Sequence, residues 1–317
     1  MKTVASAWGL RLHWGRIVAL LLLLSTGCGP SDGARRAHAV RVIGFAGRGD
    51  GALYQPRGVE ALSDGGCLVI DRSGRIQRFD ERAGFVGSWW LPEWAEGQPI
   101  DLCLTPWGSV LVADTHYARV LEYDLGGHEL RRLGMGAGLG LVRGVTVGLD
   151  GTIFVVDYGE FDRVHRFDRS GAHQGTFGAT GDGPGEFLRP EGIATGADGD
   201  VYVVDCGNHR VQRFTPQGVF VAAFGAAGAE PGQFLFPFDV ATGSGGCLYV
   251  VDYRGARVQC FSPEGALLGW VGGAGTEPGE FATPRGVAVR PDPAGDVIFV
   301  ADTNNHRVQR FRWEPRP

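Results

Sequence analysis

An aspartate at the end of a short apolar run recurs along the chain at Asp71, Asp114, Asp157, Asp205, Asp252 and Asp302, every 43 to 50 residues. This period constrains the fold more than any other feature of the 317-residue sequence. Within each period, four strand-like runs are separated by turn-forming residues. In the fourth unit these runs are Gly192–Thr195, Val201–Val204, Arg210–Thr215 and Val219–Phe224. Ala-Asp-Gly, Gly-Asn-His and Pro-Gln-Gly stand between them. The second run of each unit is apolar at every position, as in Val-Tyr-Val-Val and Ile-Phe-Val-Ala. A strand of that kind is covered on both faces. Sheets stacked around an axis give such cover, because each lies between two neighbours. The 53 glycines mark turns at fixed intervals, as expected of many short strands.

The expected fold is therefore all-β: a six-bladed β-propeller of four-stranded antiparallel blades. The chain ends sharpen this. The last unit runs out after Arg307–Phe311 and Trp313 without a fourth strand, whereas a spare run, Ala39–Phe45, precedes the first unit. That run is like the fourth strands Phe220–Phe224 and Leu267–Val271. The N-terminal strand is thus expected to close the last blade and remove the sheet edges.

Ahead of the repeats, Lys2, Arg11 and Arg16 precede the apolar stretch Ile17–Leu24 and then Ser25-Thr26-Gly27-Cys28. The stretch is too short to span a bilayer and suits the core of a signal peptide. Its ending resembles a bacterial lipobox, with Ser25 where a leucine is usual. Residues 1–28 are read as the export signal with lipid attached at Cys28, 29–38 as a tether, and 39–317 as the propeller. The protein is then an envelope lipoprotein of the outer membrane or periplasm, held to the membrane only through lipid, or a secreted protein if the lipobox reading fails. Five further cysteines (67, 103, 206, 247 and 260) form no disulfide framework. A net charge of −5 gives no reason to expect nucleic acid. Lys2 is the single lysine, so Schiff-base chemistry and a phosphate-loop lysine are excluded beyond the leader.

The pattern Gly-x-Phe-x-x-Pro-x-Gly-Val, followed by an apolar strand, Asp and Asn-x-Arg-Val-x-x-Phe, resembles the NHL repeat. It stands as Gly185-Glu-Phe-Leu-Arg-Pro190-Glu-Gly-Ile193 and Gly279-Glu-Phe-Ala-Thr-Pro284-Arg-Gly-Val287. The resemblance covers residues 39–313 and is strongest in units four to six. Unit one shortens the gap from Asp71 to Arg75, and unit three lengthens that from Asp157 to Arg163. The resemblance implies a monomeric platform for a ligand, a protein or RNA. A minority of related six-bladed propellers, the amidating-lyase and strictosidine-synthase-like groups, are enzymes.

Asp and Arg lie five apart at 114/119, 205/210, 252/257 and 302/307. A feature repeated in nearly every unit is expected to pin a turn rather than bind a ligand. Function is sought where the repeat is broken. The residues that follow the proline position at the start of each first strand are Arg57, Ile100, Arg143, Glu191, Phe238 and Arg285, and the next position is Gly except at Asp101 and Asp239. First strands line a propeller's axis, so Arg57, Asp101, Arg143, Glu191, Asp239 and Arg285 are expected to ring one channel mouth. They would suit an anionic or zwitterionic ligand, or a cation between Asp101 and Asp239.

The second break is Ser88-Trp-Trp-Leu-Pro-Glu-Trp94, in which Trp89, Trp90 and Trp94 either pack between blades or contact a protein partner or a sugar. No catalytic constellation is apparent. The reading is a ligand- or protein-binding module of the envelope without a required cofactor. The alternatives are a hydrolase or lyase with Ca²⁺ or Zn²⁺ in the channel, and a scaffold of an envelope complex.

Overall fold

A computed structural model describes residues 37–93 and 97–313. The signal, lipobox and most of the tether predicted from the sequence, and Trp94, lie outside the described residues. Six four-stranded antiparallel sheets follow one another around a ring. Blade 1 is Pro56–Ala61, Cys67–Asp71, Arg75–Phe79 and Phe85–Trp90. Blade 2 is Asp101–Leu104, Ser109–Asp114, Arg119–Asp124 and Glu129–Leu133. Blade 3 is Leu141–Val147, Ile153–Tyr158, Arg163–Phe167 and His173–Phe177. Blade 4 is Pro190–Thr195, Val201–Asp205, Arg210–Phe214 and Phe220–Phe224. Blade 5 is Pro237–Thr242, Leu248–Asp252, Arg257–Phe261 and Leu267–Gly272. Blade 6 takes Pro284–Arg290, Val297–Asp302 and Arg307–Trp313 from the C-terminal end of the chain.

Its fourth strand is Ala37–Ile43, paired antiparallel with Arg307–Trp313 in the register Arg41↔Arg310 and Ile43↔Val308. The closure expected from the spare run is present, and pairing begins at Ala37, two residues inside the stretch read as tether. Each first strand lies against the first strands of its two neighbours, which builds the wall of a central channel.

The apolar second strands are explained by what they touch. Six buried clusters occur, one at each blade interface. Val201 and Val203 enter the cluster shared with blade 3, while Tyr202 and Val204 enter the one shared with blade 5. Alternate residues of one strand thus serve opposite interfaces, so neither face of it can be polar.

The repeated polar residues build the joint between blades. Asp205 accepts hydrogen bonds from Arg210 Nε (2.7 Å), Gln212 Nε2 (3.0 Å), Asn208 Nδ2 (2.9 Å) and the Leu188 amide (2.8 Å). Arg210 in turn donates to the carbonyls of Gly183 and Glu186, and Gln212 to that of Glu186. These carbonyls belong to the connector that arrives from blade 3. Asp302, Arg307 and Gln309 grip the Glu277–Glu280 connector in the same way. The expected turn-pinning is one part of the motif, and the clamp on the incoming connector is the rest. His209 and His306 sit at φ of 55° and 54° in the turn before the arginine, where blades 2 and 5 carry Ala118 and Ala256 at 49°. They occupy a left-handed turn position that the repeat also fills with alanine.

Candidate functional site

Arg57, Asp101, Arg143, Glu191, Asp239 and Arg285 line one cavity together with Ile100, Gly192, Phe238 and Gly286. The repeat places them there: each follows the turn into a first strand, and the six first strands converge on the axis. The cavity is tight, about 10 Å³, close to the room one water needs.

Glycine at the second position of this pattern has a steric cause. A Cβ on Gly58 would lie 2.9 Å from the Ile100 carbonyl oxygen, and one on Gly286 2.5 Å from that of Arg57. Side chains are admitted only in blades 2 and 5, where they reach across to the next blade. Asp101 accepts from its neighbour Leu102 N (2.8 Å) and from Val145 N of blade 3 (3.0 Å). Asp239 accepts from Val240 N (2.8 Å) and from Val287 N of blade 6 (2.8 Å). All four oxygens accept from backbone amides, so the two aspartates stitch adjacent blades together. They also line a second cavity of about 140 Å³ further along the axis, and so stand at the waist between mouth and channel. Among the described residues no three His, Cys, Asp or Glu side chains gather as a Ca²⁺ or Zn²⁺ site would require.

The channel beyond the waist is acidic. Glu60 and Cys103 line it with the two aspartates. Burial and the charge of Asp101 push the Glu60 carboxyl up to about 8. Burial raises Asp101, against the pull of its two backbone amides. Asp239 rises well above the carboxylate range through burial and the charge of Asp101. Burial, with Glu60 and Asp101, raises the Cys103 thiol, which removes it as a thiolate nucleophile.

The mouth has the opposite sign. Arg143 Nε donates to Glu191 Oε2 at 2.7 Å, which pairs the carboxylate left beside Asp101 and Asp239, whose oxygens are taken by backbone amides. Arg57 donates to Gln98 Oε1 through Nη2. Its guanidinium is lowered to about 9 by burial first and then by Arg285, Arg143 and Arg72, with only Glu191 opposing. Among the described residues Arg285 meets no carboxylate; its guanidinium lies 5.1 Å from the Phe238 ring and 5.3 Å from Tyr253. Arg143 lies 5.1 Å from Tyr158, and Arg189 lies 5.7 Å from Tyr158 and 5.8 Å from Phe236.

This aromatic platform, and Arg189, escaped the reading of the sequence. A signal existed. Tyr158 and Tyr253 directly follow the repeat aspartate in blades 3 and 5, where blades 2, 4 and 6 carry Thr115, Cys206 and Thr303.

The tryptophan segment divides. Trp89 and Trp90 belong to the outer strand of blade 1. Trp89 is half-buried over Tyr123, with ring centroids 6.2 Å apart, and Trp90 is 52% exposed. Leu91 supplies the buried apolar contact of this turn, in the cluster with Ile76, Leu102 and Leu121.

A propeller with a cationic, aromatic-floored mouth and an acidic channel is the class of protein these features define. The NHL repeat family matches at residues 187–214 and 281–311, within blades 4 and 6. The clamp of those two blades recurs in blades 1 and 5, so the chain is a six-bladed propeller that carries NHL repeats. Among solved structures it is similar to a streptogramin B lyase (16% identity, 88% of each chain covered, TM-score 0.60). It is also similar to virginiamycin B lyase from Staphylococcus aureus (12% identity, 86% of this chain and 99% of that one, TM-score 0.60). A third, described as a putative gluconolactonase, matches at 15% identity over 89% and 93% of the two chains with a TM-score of 0.63. At these identities the likeness establishes the fold. No curated protein matches the sequence.

Proposed function

We propose that the protein is a binding module whose mouth holds a small anionic or zwitterionic ligand. The observation that carries this is the surplus of guanidinium groups at one end of the axis. Arg57, Arg143, Arg189 and Arg285 surround Glu191, the one rim carboxylate left for them. Guanidinium groups crowded in a partly desolvated rim attract an anion and bind it in a bidentate manner. Phe238 and Tyr253 beneath Arg285 give a ligand an apolar floor. Glu191 adds a carboxylate for the ammonium of a zwitterion.

Residues 1–28 export the protein and Cys28 carries the lipid, so the module faces the periplasm or the cell surface of a bacterium, free to meet an envelope protein.

A panel of dicarboxylates, amino acids and phosphomonoesters, screened by thermal shift, tests the mouth. A ligand that raises the melting temperature should lose its effect in the Arg57→Ala/Arg143→Ala/Arg285→Ala variant. Stabilisation that survives the triple substitution places the site elsewhere. The competing reading is a propeller enzyme, which the lyases of like fold favour. Metal analysis of the purified protein separates the two: stoichiometric Ca²⁺ or Zn²⁺ would overturn the module in favour of the enzyme.

A further inference from the structure

A third cavity opens over blade 1. Its volume is about 340 Å³, and Arg48, Tyr54, Arg72, Ser73, Trp90 and Gln98 line it. That size falls in the range of small-molecule sites. Three segments meet there. Arg48 and Tyr54 come from the connector entering blade 1, Arg72 and Ser73 from the turn after Asp71, and Gln98 from the connector entering blade 2.

This is also where the connector clamp is missing. In blades 1, 4, 5 and 6, arginine and glutamine of the third strand hold the incoming connector by its carbonyls. Blade 2 has Leu121 in place of the glutamine, and Arg119 pairs with Glu93 and Asp114 instead.

The walls specify a chemistry. Trp90 presents a half-exposed indole, with the Arg75 guanidinium 5.5 Å from its ring. Tyr54 lies against His306 (5.9 Å), and the Arg48 guanidinium is 4.6 Å from its ring. Both Arg48 and Arg72 are exposed, and among the described residues neither pairs with a carboxylate; Arg72 gives one donor to Gln55 Oε1 at 2.8 Å. Ser73 and Gln98 complete a polar rim.

A flat aryl ligand needs two apolar walls, and here the indole is one open wall facing hydrogen-bonding groups. A pyranose suits this arrangement: its C–H face covers an indole while its hydroxyls meet amide and hydroxyl side chains. Two exposed guanidiniums of the same cavity, Arg48 and Arg72, with no carboxylate partner among the described residues, add carboxylates to the description.

We infer that this cavity binds an acidic saccharide, with a sugar ring on Trp90 and carboxylates on Arg48 and Arg72. The site borders the mouth through Gln98, which accepts from Arg57, but Arg143 and Arg285 do not line it. Titration with a linear tetragalacturonate, followed by calorimetry and tryptophan emission, tests it against a neutral galactose tetramer.

Binding of the acidic oligomer alone is expected, weakened at least tenfold by Trp90→Ala and by Arg48→Ala/Arg72→Ala. It should be retained by Trp90→Phe and by Arg143→Ala/Arg285→Ala, whose side chains do not line the cavity. All the substituted side chains of this cavity are exposed, so unchanged melting temperatures confirm that the variants fold. The inference is overturned if tetragalacturonate fails to bind, if the neutral tetramer binds as well, or if Trp90→Ala binds undiminished.

Discussion

Glu60→Gln will raise stability at pH 8 and leave it nearly unchanged at pH 4. Glu60 stands on the first strand of blade 1 and faces the channel that Asp101 and Asp239 also line. Burial, and then the charge of Asp101, move its carboxyl from the ordinary 4.5 to about 8, against one backbone amide at Leu104. In the unfolded chain the proton leaves near the ordinary value; in the folded chain it stays until about pH 8. Between these limits the native state binds more protons than the unfolded state, so stability falls as pH rises through the window. At ~1.4 kcal/mol per pH unit the full displacement would amount to nearly ~5 kcal/mol. Glu60 is only partly buried and lines a cavity of about 140 Å³, so solvent screening brings the expected loss to roughly 1–3 kcal/mol. Glutamine keeps the shape and removes the titration. Urea denaturation of both proteins at pH 4 to 8 should show curves that separate steadily above pH 5, with equal m-values. A difference that is flat in pH, or a variant that loses ground as pH rises, would refute the argument.

Three further outcomes are expected, two from the blade joints and one from the N-terminal sequence. Asp302→Ala, which strips a buried acceptor from Arg307, Gln309, Asn305 and the Ala282 amide, should cost about 3–5 kcal/mol in chemical denaturation; a loss under ~1 kcal/mol would mean the clamp is not what joins the blades. Thr283 is β-branched and held at φ 53°, so Thr283→Gly should stabilise by about 1 kcal/mol, seen as a melting temperature a few degrees higher. Cys28→Ser should move the protein from the membrane fraction to the soluble periplasmic fraction, and a variant that stays with the membrane excludes lipid at Cys28.

The fold was legible because a propeller repeats its constraints. The aspartate period, the doubly apolar second strands and the spare Ala39–Phe45 run each follow from a requirement that every blade must meet, and the pairing of Ala37–Ile43 with Arg307–Trp313 satisfies the last of them. The mouth was legible for the same reason, since equivalent positions in a ring must converge. The environment of a single break was not. Gly-to-Asp at 101 and 239 is visible in the sequence, but that the carboxylates reach Val145 N and Val287 N depends on which strand faces each Cβ. The tryptophans show the same limit. An outer strand borders solvent on its open edge, so its pattern does not separate it from a connector, and Phe85–Trp90 could be read as either.

The distribution of charge along the axis carries the argument one step further. Guanidiniums gather at the rim and carboxyls beyond the waist, with Asp101 and Asp239 common to both. An anion drawn to the rim therefore meets a like-signed barrier as soon as Glu60 and its neighbours ionise. The waist is narrow and its aspartates are already spent on Val145 and Val287. Opening it would strip two inter-blade hydrogen bonds, each worth about 0.5–1.5 kcal/mol with the carboxyls raised by burial. The ring thus favours a ligand that rests on the arginine face over one that threads the channel. Mouth and channel are separate compartments of one fold, which is why a rim substitution and a channel substitution such as Glu60→Gln should act independently: the first on ligand-induced stabilisation alone, the second on the pH profile alone.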